Sequence, residues 1–505
     1  MCISFECMKA SKRSTALLAI FISGIFWYLS FDLALHAWWA TWIAPMPVLY
    51  LSLRVSGWQA FGAAFVSCLA GWCSWIPYLL TILPLPVILL VVILFSLPMA
   101  LVVALSRRII LKHVFPPLAA LFVYPVLLTT AEFLQFLLSR DGTFGSIAYT
   151  QCNFLPIIQI ASITGILGIT FMVSFVPSAI VLVVHYHRQG RVVRNLVLMG
   201  IFPTAAVLTY GLLRLRESRP SECTKVGLAA ISMSTYKNVY DTSREEQLHL
   251  TRLYLSEVDS LAGKGARVIL LPEKCIPVSD ATEASIQELF SDRSRHLGIT
   301  IIVGFTRIYK GHMECQARVF SSNGDQVLNY RKVNLFEGEV LDGFKAGKEP
   351  GFYDRQGVRT GVAICKDMDY QRYMILYGKM GASVLYVPAW DFDRDGWLHA
   401  RMAMMRAVEN GFVLVRNAQQ GRLIISDDRG SVLAEASSEK SKHASVTGEV
   451  CTKAGGLTLY SRWGDWFGWL NLFLAVAQIV MLSHWLRKAS STSAPRPGVS
   501  GISRK

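Results

Sequence analysis

Charged side chains are scarce in this sequence: 17% of its 505 residues, against 52% hydrophobic. So little charge excludes an ordinary soluble enzyme and points to membrane spans. Other things are missing altogether. There is no Cys/His spacing of a zinc site, no P-loop and no Gly-x-Gly-x-x-Gly turn, so neither a metal nor a nucleotide cofactor is expected. Acidic residues are outnumbered, 35 against 50 basic, for a formal charge of +15. In a chain this apolar the excess belongs to loops facing anionic lipid, and nucleic acid is not an expected partner.

The apolar residues are unevenly spread. Their distribution predicts a membrane domain over 1–220, a soluble domain over 221–457, a closing anchor over 458–488 and a disordered Ser/Pro/Gly-rich tail over 489–505. Spans are expected near 15–31, 38–53, 58–80, 86–105, 116–138, 154–184 and 195–213, and again at 466–485, about eight transmembrane helices in all. The basic start before the first span has no convincing small-residue cleavage site, so that span reads as retained. With a cytoplasmic N-terminus, Lys9, Lys12, Arg13, Arg54, Arg107, Arg108, Lys112, Arg188, Arg191, Arg194, Arg487 and Lys488 all fall on the cytoplasmic side. Seven spans then place the soluble domain outside the cytoplasm, and the short second span decides that parity. Glu132 lies inside the fifth span, where an ionisable group is costly enough to suggest a function. The loop after it, 139–153, reads either as a glycine-rich turn with interfacial aromatics or as a wall for a lipid substrate.

The soluble region alternates strands, near 225–231, 267–271, 300–305, 382–387, 412–416 and 421–426, with helices near 285–297, 370–380 and 396–410. A hairpin turns at Asn323-Gly324-Asp325. This alternation indicates a layered α/β domain. Reactive residues stand at strand ends. GVAICKD, Gly361 to Asp367, drives an apolar run toward Cys365, a candidate nucleophile, although a buried cysteine is more often a small apolar filler. Two other stretches favour the nucleophile. ILLPEK carries Glu273, a carboxylate at the end of an apolar strand that could act as base and then acid. LNYRKVNLFEGE carries Lys332, a positive charge for the oxyanion of a tetrahedral intermediate. Together they specify acyl transfer through a thioester.

Glu273, Lys332 and Cys365, in this chain order, resemble the Glu-Lys-Cys triad of the carbon-nitrogen hydrolase (nitrilase) superfamily, and Met405 to Gly421 resembles the segment that follows its nucleophile. The layout of seven spans, such a domain and a final span is similar to the apolipoprotein N-acyltransferase family. Ala148-Tyr149-Thr150-Gln151 resembles that family's GYSQ element, residues 160–171 the helix after it, and Thr458 to Asp465 the element before the last helix. The resemblance implies a nitrilase-like α-β-β-α sandwich on the periplasmic side of a bacterial inner membrane, and no cofactor. It implies a membrane phospholipid as acyl donor and apolipoproteins as acceptors, the acyl chain passing through Cys365 to the α-amine of a diacylglyceryl cysteine. It also implies an auxiliary glutamate, either Glu337 or Glu339, with Glu339 favoured. The chain departs from the family's pattern in three places. Lys366 and Asp367 follow the nucleophile where the family usually has Tyr-Glu, Asn334 to Glu339 is shortened, and VPAWDF, Val387 to Phe392, replaces NDAWF.

Alternatives remain open at this point. Cys275, two residues beyond Glu273, is a second possible nucleophile without a partner lysine motif. Cys223, Cys275, Cys315, Cys365 and Cys451 make an odd count in the soluble domain, which leaves at least one thiol free and does not say which others pair. Tyr149, Gln151, Trp390, Phe392 and His399 are candidate substrate-binding residues, with packing or hydration the competing reading for each. Besides a lipoprotein N-acyltransferase, the same parts could serve a membrane-tethered amidase, an acyltransferase for another amine, or a non-catalytic membrane module.

Overall fold

The computed structural model describes residues 2–217, 222–231, 243–441, 443–452 and 457–492. Among these, seven helices are long and apolar enough to cross a membrane: Arg13–Phe31, Gly57–Leu79, Leu85–Leu111, Pro117–Leu138, Leu167–His185, Gly190–Arg216 and Trp466–Ala489. Two expected spans differ. The one near 154–184 is broken at Gly165 (φ 68), where a Cβ would strike the Tyr460 ring, so its first part is a short helical stretch and only Leu167–His185 is full length.

The one near 38–53 consists of two short helices, Ala40–Ile43 and Pro45–Ser52, because Pro45 has no N–H to continue the first. The chain nevertheless returns along this segment. Helix Gly57–Trp72 runs parallel to the first helix: Ser67 bonds the Ile20 carbonyl, Gly71 packs on Trp27, and Trp75 Nε1 donates to the Phe31 carbonyl. Two consecutive parallel helices require a return between them. Thr41 beside Ser30 and Ser23 donating to the Ala44 carbonyl trace that return. At one end of the bundle Arg107 ties to the Ser52 and Val55 carbonyls and Lys112 sits 5.2 Å over the Trp485 ring. The opposite end carries the α/β domain.

Among its described residues that domain has thirteen strands in two sheets. The first sheet has β1 (Cys223–Ile231), β2 (Val268–Leu270), β3 (Ile276–Val278), β4 (Thr300–Tyr309), β5 (His312–Phe320), β6 (Gln326–Arg331) and β13 (His443–Cys451), in the order β13-β1-β2-β4-β5-β6 with β3 beside β4. The second has β7 (Gly351–Arg355), β8 (Val358–Val362), β9 (Val384–Trp390), β10 (Val413–Gln419), β11 (Arg422–Ser426) and β12 (Val432–Ser437), in reverse chain order. Apolar side chains of both sheets share one buried interior, from Val226 and Leu270 to Tyr386 and Val415. Helices Arg244–Gly263 and Glu283–Leu297 cover the outside of the first sheet. Helices Gln371–Lys379 and Gly396–Asn410 cover the second, and the latter joins the same hydrophobic core as the membrane bundle. The result is a helix-sheet-sheet-helix sandwich whose second helical layer is shared with the bundle.

Strands β3, β7, β12 and β13 were not expected from the sequence, being short or polar on one side. β1 and β13 pair antiparallel, with Cys223 opposite Cys451, and these two cysteines form a disulfide. Cys315 and Cys365 are free thiols. The final helix continues to Thr492 rather than ending at 488, and the rest of the tail expected to be disordered, 493–505, lies outside the described residues.

Candidate active site

Lys332 follows β6 directly, and Glu273 lies just past β2, so the parallel β2–β4 pair and the neighbouring β5–β6 hairpin carry them to the same end of the first sheet. Lys332 Nζ donates to Glu273 Oε1 at 2.8 Å and lies 2.9 Å from Glu339 Oε2. Lys274 Nζ meets Glu339 Oε1 at 2.6 Å. Two ammonium groups and two carboxylates thus neutralise one another in a pocket where Glu273, Lys332 and Glu339 are all buried, the geometry in which buried charges are tolerable. Burial alone would lower the Lys332 pKa, but Glu273 and Glu339 outweigh it and hold the ammonium well above its ordinary range. Burial alone would raise Glu339, and Lys332 with Lys274 outweighs that, holding it below the usual carboxylate range. Glu337 is exposed. The buried Cys315 thiol donates to Glu273 Oε1 at 3.3 Å, so Lys332 and Cys315 share one carboxylate oxygen.

Glu273, Cys315 and Glu339 present ligand atoms within 4.8 Å of one another. Lys332 Nζ already bonds both carboxylates, so an ammonium provides the positive charge that a cation would bring to this cluster.

Cys365 comes from the other sheet. β8 ends at Val362, three residues earlier than a continuous strand would, and Cys365 opens a 3₁₀ turn, Cys365–Asp369, with φ 44. A non-glycine residue in the left-handed region is strained and persists only when its surroundings hold it. Asp367 does this from the sandwich side: buried, it accepts from the backbone N–H groups of Ile364 (2.9 Å) and Asn334 (2.8 Å) and from the Tyr330 hydroxyl (2.7 Å). It therefore ties the loop after Lys332 to the turn carrying Cys365. The Cys365 thiol points to the Trp390 carbonyl, 3.4 Å away. Burial first, and then the Glu273 carboxylate, push its pKa well above the usual thiol value, while Lys332 and Arg416 pull the other way. The resting sulfur is thus protonated and needs a base at the moment of attack.

Sequence reasoning missed the pair behind Cys365. Arg416 on β10 and Asp391 after β9 form a buried two-pronged ion pair, at 2.9 and 2.5 Å, made possible by the parallel β9–β10 register. The acid in VPAWDF was the only local sign of it.

The other candidate residues divide. Trp390 and Phe392 lie beside the charge cluster and the loop after Lys332: the Trp390 ring is 5.7 Å from Lys274 Nζ, and Phe392 packs 5.6 Å from Phe336, both partly exposed. His399 sits between Asp395 (3.1 Å) and Asp369 (3.8 Å), with Phe144 stacked on it, and Asp395 foremost drives its pKa up to about 10 against the lowering effect of burial. Tyr149 and Gln151 lie in the buried seam between the bundle and helix Gly396–Asn410. Tyr149 accepts from Arg406 at 2.8 Å, and Gln151 bonds Trp42 and the Trp38 carbonyl. Their polar atoms are engaged within the protein. Cys275 faces the opposite, helix-covered side of the first sheet and bonds the Gly304 carbonyl.

Carbon-nitrogen hydrolases match residues 226–450, and the apolipoprotein N-acyltransferase N-terminal domain matches 23–179. The apolipoprotein N-acyltransferase of Geobacter metallireducens is 26% identical over 85% of this chain and 88% of its own length. That of Haemophilus ducreyi is 24% identical over 70% and 74%. A 2-oxoglutaramate amidase of Bacillus subtilis is 27% identical over 35% of this chain and 76% of its own. Among solved structures, a nitrilase-superfamily amidase of Nesterenkonia aligns at 16% identity over 45% of this chain and 90% of its own, with a TM-score of 0.40. With the membrane bundle matched by one family and the sandwich by the other, the chain belongs to the apolipoprotein N-acyltransferase family of the nitrilase superfamily.

Proposed function

We propose that this chain is an acyltransferase that moves a fatty acyl group from a membrane phospholipid to the α-amine of a lipoprotein's diacylglyceryl cysteine. The observation that carries this reading is the buried Glu273–Lys332 ion pair of the first sheet, whose charges both act on the Cys365 thiol presented by the second sheet. Glu273 takes the proton of Cys365 as the sulfur attacks the ester carbonyl. Lys332 holds the oxyanion of the tetrahedral intermediate. The C–O bond breaks, Glu273 returns the proton to the departing lysophospholipid, and a thioester remains on Cys365. The incoming amine attacks the thioester and loses a proton to Glu273. The C–S bond breaks, an amide is formed, and the proton passes to the Cys365 sulfur. Glu339 and Lys274 balance the charge of this pair throughout. Trp390 and Phe392 contact the acyl chain, and His399 acts as a positioning residue rather than a substrate contact.

The protein is a multi-pass membrane protein, and we assign the α/β domain to the outer side of the inner membrane. Two independent features support this. Arg54, Arg107, Lys112 and the loop with Arg188, Arg191 and Arg194 lie at the end of the bundle away from the domain. The Cys223–Cys451 disulfide fits an oxidising compartment.

The test is mass spectrometry of the protein after incubation with phospholipid, and of lipoprotein N-termini in cells. The wild type should carry an acyl adduct on Cys365 and yield N-acylated lipoprotein, and Cys365→Ala should yield neither. Acylation surviving in that variant, or release of free fatty acid without amide formation, overturns the proposal, the latter in favour of an amidase.

A further inference from the structure

The left-handed turn that presents Cys365 is held at its start by Asp367, from within the sandwich. Its end is held by something else. The Asp369 carbonyl, which closes the turn, accepts both the backbone N–H and the hydroxyl of Thr143, each at 3.0 Å, and Thr143 belongs to the loop leaving membrane helix Val123–Leu138. Neighbouring contacts follow the same line. Gly142 packs so closely that a Cβ would lie 2.3 Å from the Asp369 oxygen. Asp141 pairs with Lys366 at 2.6 Å, and Tyr370 donates its hydroxyl to the Arg140 carbonyl.

The loop has an anchor of its own inside the bundle. Glu132 is buried within its helix, accepts the Ile147 N–H at 2.6 Å through Oε1 and takes the Thr170 hydroxyl on Oε2. A carboxylate at that depth is costly unless its bonds are made, and both of its oxygens are bonded. It joins helices Val123–Leu138 and Leu167–His185 to the first residue of the 3₁₀ turn Ile147–Gln151. From there Tyr149 bonds back to Thr143 at 2.5 Å.

We infer that the membrane domain supplies a seat for the nucleophile: Thr143 is a positioning residue that fixes the far end of the Cys365 turn, and Glu132 is the intramembrane anchor of the loop that carries it. The bundle therefore helps to hold the strained backbone of Cys365 as well as anchoring the protein. A 3₁₀ turn clamped at one end only would relax toward ordinary φ and carry the sulfur away from Glu273.

The inference rests on Cys365 being the nucleophile, and the test separates the two. Single-turnover acylation by phospholipid in detergent micelles is measured for the full-length wild type, Thr143→Ser, Thr143→Ala, Gly142→Ala, Glu132→Ala and Cys365→Ala, alongside thermal melting. Thr143→Ala should slow thioester formation about tenfold at saturating phospholipid, the effect of one lost hydrogen bond, with KM moved by less than about twofold. Thr143→Ser keeps the hydroxyl and should restore most of the rate. Gly142→Ala should lose more, because the added methyl pushes directly on Asp369. Glu132→Ala should reproduce the rate loss if it folds, and the Thr143 and Gly142 variants decide the matter if it does not. Wild-type acylation rates in both Thr143→Ala and Gly142→Ala overturn the seat, while acylation by Cys365→Ala overturns the enzymatic reading beneath it.

Discussion

Two helices of this chain obey opposite rules. Helix Gly190–Arg216 buries only Leu196 and Gly211, and its outward side shows Leu198, Ile201, Phe202 and Leu213. Helix Gly396–Asn410 is buried at every residue from Ala400 to Asn410, and within that stretch it carries Arg401, Arg406 and Glu409. The difference is one of surroundings. A helix that faces lipid has no reason to hide its apolar side chains and cannot place charges there. A helix pressed between a sheet and a bundle must find partners for its charges within the protein. Arg406 and Glu409 pair with each other (2.9 Å), Arg406 bonds the Tyr149 hydroxyl, and Glu409 accepts the Ile166 N–H. Buried charge is thus found where the two halves meet as well as around Lys332.

The sharpest way to break this contrast is to remove one member of the buried charge cluster. Lys332→Met leaves Glu273 and Glu339 with Lys274 alone, and thioester formation should fall by about a thousandfold or more, measured in single turnover. The variant should also melt earlier, since an unpaired buried charge costs about 3–5 kcal/mol. Next in size is the disulfide. Cys223→Ser should destabilise the α/β domain by about 2–4 kcal/mol and leave the bundle unaffected, seen as protease cleavage confined to the sandwich.

Smaller, and dependent on pH, is the contribution of His399. Its folded pKa, about 10, lies above the ordinary value of 6.5. The stabilisation from Asp395 and Asp369 is therefore fully present below pH 6.5 and is lost as pH rises through 10. Melting temperature should fall between pH 7 and 10.5 in the wild type, and His399→Gln should flatten that part of the profile. The smallest effect is expected on the lipid-facing side. Phe202, 78% exposed, should tolerate replacement by Leu within about 0.5 kcal/mol in detergent melts.

Much of the candidate site was legible before the fold because Glu273 and Cys365 follow apolar strand segments, a local pattern. Other features were not. The stretch near 38–53 reads as one span, but it folds as two short helices broken at Pro45, and the parallel packing of its neighbours shows where it runs. Arg416 and Asp391 lie far from the motifs in sequence and meet through a parallel register. Tyr149 and Gln151 looked like substrate contacts because they are polar and sit in a glycine-rich loop, but the seam they lie in engages their polar atoms.

The order of residues alone determined most of the elements, that most of the first 215 residues belong in lipid, and which side chains have the chemistry for acyl transfer. Periodicity and composition act over short stretches, so a linear chain displays them. Only the tertiary structure decided which glutamate bonds Lys332, which cysteines pair, and that a loop from the membrane domain clamps the turn of Cys365. Those outcomes depend on contacts between residues hundreds of positions apart, whose distances are set when sheets and helices pack.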